Sequence, residues 1–367
     1  MAVSFYNFQD LHDKNFREEY LARVSEILEK NSFIEGPWNA EFEKEFAALQ
    51  KAKHCLLLAN GTDALEIALK VLGVGHDKKV AVPGITFYAT AEAVLKVGAT
   101  PIFVDVNPAT GLICPESLRT ATREHDIAAV MPVHIYGLPA PMEEIDNLCR
   151  GKGIHVIEDA AQAQGTFLPS GPVGSGKNLA TFSFYPTKNL GGAGDAGGIL
   201  TNDDDLARKI RVERNHGRGD ETSMGRNSRC DHLQAAFLHL KLKDIQAQNI
   251  KRKQAAANYH KALAGLPVQT LPGSFIETSS WHLYPIQLDS AATRAALQET
   301  LKNKGIGTSP FYEKALSQEP SLARYPAYDK GAKERAGKTL CLPIHPFLTQ
   351  GQIDEVATAI RDHFQKV

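Results

Sequence analysis

The chain has 367 residues, 43% hydrophobic and 23% charged, and its 41 Lys and Arg against 42 Asp and Glu give a formal net charge of −1. That is the composition of an ordinary globular protein, long enough for one large and one smaller domain. It offers no electrostatic case for a nucleic-acid partner or an anionic membrane surface, and no apolar run approaches the roughly 20 residues that a bilayer span requires.

The opening stretch, MAVSFYNFQDLHDKNFREEY, is charged along its length and lacks an apolar core, so no signal peptide is expected. From 11 to 30, Phe16, Tyr20, Val24, Ile27 and Leu28 fall on one face of a predicted helix. A second helix follows Pro37, a residue suited to a first turn, with Phe42, Phe46 and Leu49 inward. A strand–helix rhythm then begins. Strands are predicted at 54–59, 80–83, 102–106, 127–133 and 154–158, alternating with helices at 62–72, 89–97, 115–123 and 142–151. Strands at 180–185 and 197–202 and a helix at 204–215 follow. This alternation predicts the α/β class, a mostly parallel sheet with helices on both faces. The alanine-, lysine- and glutamine-rich stretch 233–263 is expected to form one long helix joining two domains. A strand at 281–288 and helices at 291–304 and 350–365 make the remainder a smaller α+β domain. The expected division is 1–240, with a helical N-terminal segment 1–50, and 241–367.

Sheets of this kind bind ligands beyond the carboxyl ends of their strands, where Asn60-Gly61-Thr62, Thr86-Phe87, His134 and Asp159 all fall. Two stretches carry chemistry. In HVIEDAAQAQG, 155–165, an apolar strand ends in Glu158 and Asp159, which by alternation point to opposite sides. In FSFYPTKNLGGAGDAGG, 182–198, a strand breaks at Pro186 and Lys188 follows in a glycine-rich turn. A lone lysine in such a turn is most often solvated, and an acid after a strand is often only a helix cap. An acid and a lysine together, each just past an apolar strand, suit pyridoxal 5'-phosphate. That cofactor needs a lysine for its Schiff base and a carboxylate that keeps the ring nitrogen protonated. Asn60-Gly61-Thr62, between a strand and a helix, offers backbone amides for a phosphate, or simply a cap for the helix.

Two other patterns are set aside. GPVGSGKN, 171–178, has the spacing of a phosphate-binding P-loop but lacks its closing Ser or Thr and a strand leading into it; a surface loop is expected there. Gly73-Val74-Gly75 follows a helix and has no third glycine. The cysteines (Cys55, Cys114, Cys149, Cys230, Cys341) form no C-x-x-C pair, and the 13 histidines show no metal-ligand spacing. No metal is expected, and a reducing compartment, the cytoplasm, is.

NGTDAL (60–65), TFYATAEAV (86–94), PVHIYG (132–137), EDAAQ (158–162), FSFYPTKNLG (182–191) and GRNSRCDHLQAA (225–236) together resemble the DegT/DnrJ/EryC1/StrS family, PLP-dependent aminotransferases of nucleotide-linked sugars. The likeness is specific from about 33 to 242 and looser beyond. It implies the fold type I architecture of PLP-dependent transferases. It also implies that Gly61, Thr62 and Ser183 bind the cofactor phosphate, that Phe87 stacks on the ring, that Asp159 meets the ring nitrogen, and that Gln162 bonds the ring oxygen; spacing alone does not select Gln162 over Gln164. Asn227 is implied to reach the cofactor phosphate of a neighbouring subunit, giving a homodimer with shared sites, and Arg229 to contact substrate phosphate or carboxylate. His134, Phe311 and Tyr312 are the remaining candidate substrate contacts.

The reaction implied has two stages. An amino acid, commonly glutamate, displaces Lys188 from the cofactor, and the freed amine moves a proton between Cα and C4'. A keto-sugar carrying a nucleoside diphosphate then takes the amine in reverse, in amino-sugar and surface-polysaccharide biosynthesis. Relatives that dehydrate sugars carry histidine at the position of Lys188, so the lysine favours transamination. One departure bears on substrate: the family usually has His-Tyr-Pro after G-I-x-T, whereas this chain reads GIGTSPFYE, 305–313, with Phe311 in place of the histidine. A 3-keto hexose on dTDP or UDP is expected. The alternatives are a 4-keto acceptor, a PLP-binding regulator without turnover, or a PLP lyase.

Overall fold

Continuous apolar runs such as Leu56–Leu58 and Val80–Val82 make strands buried on both faces, the pattern of a sheet covered on each side. The computed structural model describes residues 2–220 and 224–365. In it eight strands form one sheet, in the order His54–Leu58, Gly197–Thr201, Leu179–Ser183, His155–Asp159, Ile127–Val130, Lys79–Pro83, Thr100–Val104 and Ala327–Tyr328. Gly197–Thr201 is antiparallel to both of its neighbours, and the pairings from Leu179–Ser183 to Ala327–Tyr328 are parallel. The two-residue period sorts side chains between faces. Ala81, Ile102, Val104 and Val130 join one core, whereas Val80, Val82, Phe103 and Ala129 join another. The expected α/β class and mostly parallel sheet are present.

The helix at the N-terminus spans Lys14–Lys30, started by Asp13, whose carboxylate accepts from the Phe16 amide at 2.8 Å, and ended by Asn31 in left-handed backbone. Of its five expected inward residues only Ile27 is fully buried. Phe16 and Tyr20 meet Phe237 edge-to-face, but Leu28 points outward, as does Leu21. A helix seated on one ring buries a narrow stripe, and Leu28 lies about 100° around the helix from Ile27.

The single helix expected at 233–263 is two, His232–Leu242 and Ile245–Ala262. The first is buried between Lys14–Lys30 and Pro37–Leu49, while the second packs on the C-terminal helix Gln350–Gln365. Asp244, a poor helix-interior residue, marks the break: its amide turns back to Lys241 O at 3.2 Å and its carbonyl starts the next helix by accepting from Gln248 at 2.9 Å. A three-stranded antiparallel sheet, Gln269–Thr270, Tyr284–Gln287 and Thr339–Leu342, follows. The strand Ala327–Tyr328, not expected from sequence, crosses back to extend the large sheet beside Thr100–Val104.

Candidate active site

Two strand ends and a helix N-terminus converge on a cavity of about 510 Å³. At the end of His155–Asp159, Glu158 and Asp159 do point opposite ways. Glu158 faces His134 at 3.1 Å, and Asp159 faces the cavity. The Asp159 carboxylate accepts from the Thr90 hydroxyl at 2.8 Å and the Ala161 amide at 3.1 Å, and Thr90 is in turn held by Thr86 at 2.9 Å. Burial pushes its pKa up, opposed by the Thr90 and Ala161 hydrogen bonds and then by Lys188 and His134. A carboxylate so placed is oriented by two donors yet short of countercharge, which suits a cationic ring nitrogen.

Lys188 sits in the turn after Leu179–Ser183, its amide bonded to Tyr185 O at 2.8 Å. Gly191 allows this turn to close, because a Cβ there would lie 2.3 Å from Pro186 O. The side chain lines the cavity. Desolvation pulls its pKa down to about 8, against the pull of Asp159 in the other direction. The amine is thus mostly protonated below about 8 and free to act as nucleophile or base above it. Covalent uptake of pyridoxal phosphate by the apoprotein is therefore expected to quicken about tenfold per pH unit below that value and level off above it. Stopped-flow absorbance against pH checks this, and levelling only near the ordinary lysine value of 10.5 would show an unshifted amine.

The opposite end of the cavity is an anion seat. Asn60 caps the helix Gly61–Val71 by accepting from the Asp63 amide at 2.8 Å, and Ala64 bonds Asn60 O. The Gly61 and Thr62 amides remain for a ligand, with Ser183 beside them. The approach is tight enough to demand glycine, since a Cβ on Gly61 would stand 2.7 Å from Ser183 Cβ. Phe87 also lines the cavity and is exposed into it. Gln162 does so too, holding the Tyr136 amide at 2.6 Å and donating to the Tyr312 hydroxyl at 3.2 Å. Gln164 instead donates to Ser183 O and lies outside the lining. Phe311 and Tyr312 complete the wall, and burial raises the Tyr312 pKa so that its hydroxyl stays protonated. Acid, lysine, flat aromatic and anion seat within one cavity fit the expected cofactor.

The structure corrects the placement of His134. It is wholly buried, with Nε2 at Glu158 and Nδ1 accepting from the Ala140 amide at 3.0 Å, so it lies on the Glu158 side of the strand and does not line the cavity. Asn227 and Arg229 are also absent from the lining. Asn227 is exposed, and Arg229 donates to Asn215 at 2.9 Å in a separate hollow with Glu43 and Arg214. Sequence reasoning missed Tyr6 and His282, both of which line the cavity. Tyr6 arrives from the N-terminal segment and His282 from just before Tyr284–Gln287, so no local motif ties either to Lys188.

A mostly parallel sheet with a lysine, a buried carboxylate and an anion-binding helix end at one cavity defines a cofactor-dependent enzyme of amine chemistry. Residues 14–361 match the model of the DegT/DnrJ/EryC1/StrS aminotransferase family, and the chain belongs to that family. It is 38% identical over 354 residues, 95% of each chain, to the UDP-N-acetyl-3-dehydro-alpha-D-glucosamine 3-aminotransferase of Acidithiobacillus ferrooxidans. It is 36% identical over 368 residues, 98% of this chain and 99% of the other, to the erythromycin biosynthesis sensory transduction protein EryC1 of Saccharopolyspora erythraea. Among solved structures, S. venezuelae DesV in complex with a ketimine intermediate superposes with a TM-score of 0.92 at 33% identity, covering 100% of this chain and 99% of that one.

Proposed function

We propose that this PLP-dependent aminotransferase moves an amino group from an amino acid, L-glutamate, to a 3-keto hexose linked to UDP or dTDP, for amino-sugar and surface-polysaccharide synthesis. The observation that carries the reading is the Asp159–Lys188 pair in one cavity with a helix N-terminus at its other end. The name of the Acidithiobacillus relative supports position 3 and UDP. When bound, pyridoxal phosphate supplies an aldehyde that takes up amines and a ring that accepts the electron pair released at the donor's Cα.

The chain's residues do the rest. Gly61, Thr62 and Ser183 hold the phosphate, Phe87 fixes the ring plane, and Gln162 meets the ring oxygen. Asp159 keeps the ring nitrogen charged. Lys188, in the neutral form that its lowered pKa makes accessible, would remove the Cα proton and return it at the cofactor's C4'. Phe311 and Tyr312 border the space left for the sugar. Residues from both sides of position 240 line the cavity, which agrees with a larger unit 1–240 and a smaller unit 241–367 closing one site. The free cysteines suit the cytoplasm, and no helix among the described residues is long and apolar enough to cross a membrane. Spectra during glutamate addition test the reading: conversion to the pyridoxamine form is expected, and an unchanged spectrum would favour the regulatory role that the name of the Saccharopolyspora relative suggests.

The same proposal includes a homodimer in which Asn227 and Arg229 act on the neighbour's site, supported by their position outside their own chain's cavity. Mixing inactive Lys188→Ala with inactive Asn227→Ala chains is then expected to restore up to about a quarter of wild-type activity. Half the chains enter heterodimers on random exchange, and each heterodimer has one intact pocket of two. No recovery despite demonstrated subunit exchange would mean that each pocket is built within one chain. Arg229→Ala is the substitute partner if Asn227→Ala alone proves too active.

A further inference from the structure

Beside Lys188 runs a buried polar network that none of the roles above uses. Asn189, the next residue, donates its amide Nδ2 to the Ser280 carbonyl at 2.8 Å and to Asn249 Oδ1 at 3.0 Å. A backbone carbonyl only accepts, so the Ser280 contact fixes which end of the Asn189 amide is nitrogen. Asn249 is fixed likewise, donating to the Gln164 carbonyl at 2.8 Å. Asn189 Oδ1 is therefore an acceptor, and it stands 3.3 Å from His282 Nδ1. The proton of that bond must sit on His282 Nδ1. The ring is neutral, because burial disfavours its charged form and Lys188 and Arg252 both act in the same direction. A neutral ring with its proton on Nδ1 has its lone pair on Nε2. His282 lines the cavity that holds Lys188, and the two groups act on each other electrostatically, which sets a ring with an unprotonated nitrogen beside the lysine.

We propose that His282 is a positioning residue for Lys188: its Nε2 accepts one N–H of the freed Lys188 amine and so aims the amine's lone pair at the carbon whose proton it moves. This rests on the proposed role of Lys188 as proton carrier. Both Asp159 oxygens already accept from Thr90 and Ala161, and a carboxylate bonded directly to the amine would favour the ammonium. A neutral imidazole orients the amine without adding a charge that holds the proton. Orientation of this kind counts because proton transfer is steep in geometry.

The test uses holoenzyme carrying His282→Phe or His282→Gln. In single turnover with glutamate, His282→Phe is expected to slow the proton-transfer half-reaction by about tenfold to a hundredfold. Glutamate affinity and cofactor retention should hold, and the isotope effect from α-deuterated glutamate should rise. His282→Gln, which restores an acceptor oxygen, should recover much of the rate. Asn189→Ala frees the ring to exchange tautomers and should move rate and isotope effect the same way, which keeps the idea testable if His282→Phe fails to fold. Independently of activity, ¹⁵N NMR of histidine-labelled holoenzyme should show His282 protonated at Nδ1 and bare at Nε2 from about pH 6 to 9. A proton on Nε2 overturns the proposal, as does a change in substrate affinity alone. An unaffected rate in His282→Phe, with Lys188→Ala inactive, overturns it while leaving the role of Lys188 intact.

Discussion

Lys188→Ala is expected to yield a colourless, inactive protein that borohydride cannot tether to the cofactor, whereas wild type should be yellow and tethered at Lys188 alone. The variant loses both the nucleophile that holds the aldehyde and the base that moves the proton, and removing such a group costs on the order of a thousandfold or more in rate. Misfolding is not the expected cause. In the apoprotein desolvation outweighs the attraction of Asp159 for the lysine's charged form, so truncation removes a burial that is unfavourable on balance. The apoprotein melting temperature should accordingly hold or rise. Tethering to any other lysine in wild type, or substantial turnover by the variant, would remove the central assignment.

The strand–helix rhythm was legible because each buried parallel strand is a short apolar run bounded by turn residues, and that signal is local. The faces of strands at the site were half legible. Alternation separates Glu158 from Asp159, but a strand-end residue such as His134 carries no mark of which face it takes, and its pairing with Glu158 depends on the neighbouring strand's register. Gln162 and Gln164 were likewise indistinguishable by spacing. The helices 232–242 and 245–262 read as one because nothing in the alanine-rich pattern shows that they pack on different parts of the fold. Tyr6 and His282 escaped because their contribution arises from long-range closure: the N-terminal segment and the start of a strand in the small sheet meet Lys188 only in three dimensions. For His282 the signal lies in the chain of amides from Asn249 through Asn189, which exists only in the folded state.

Asp159→Ala is expected to keep part of its cofactor and lose nearly all turnover. The anion seat at Gly61 and Thr62, the Phe87 face and Lys188 all remain, so binding is weakened and not abolished. What disappears is the strand-end carboxylate that Thr90 and Ala161 hold in place. Without that charge the ring nitrogen sheds its proton at neutral pH, and the ring no longer accepts the electron pair left when the Cα–H bond breaks. Loss of a positioned electrostatic partner of this kind typically costs about 10²–10³ in kcat. Asp159→Asn is the sharper variant, because its amide oxygen can still accept from Thr90 and its volume is unchanged, yet it carries no charge. If charge is the working property, Asp159→Asn should fall nearly as far as Asp159→Ala; if shape is, it should stay near wild type. A loss smaller than about tenfold in either variant, about 1.4 kcal/mol of barrier, would show that the electrons are stabilised by another group. The pH profile separates the two causes further, since a ring nitrogen released from Asp159 can be reprotonated from solvent. The residual activity of Asp159→Asn should therefore climb as pH falls, until protonation of Lys188 opposes it, at a lower pH than in wild type because the upward pull of Asp159 on the lysine is gone.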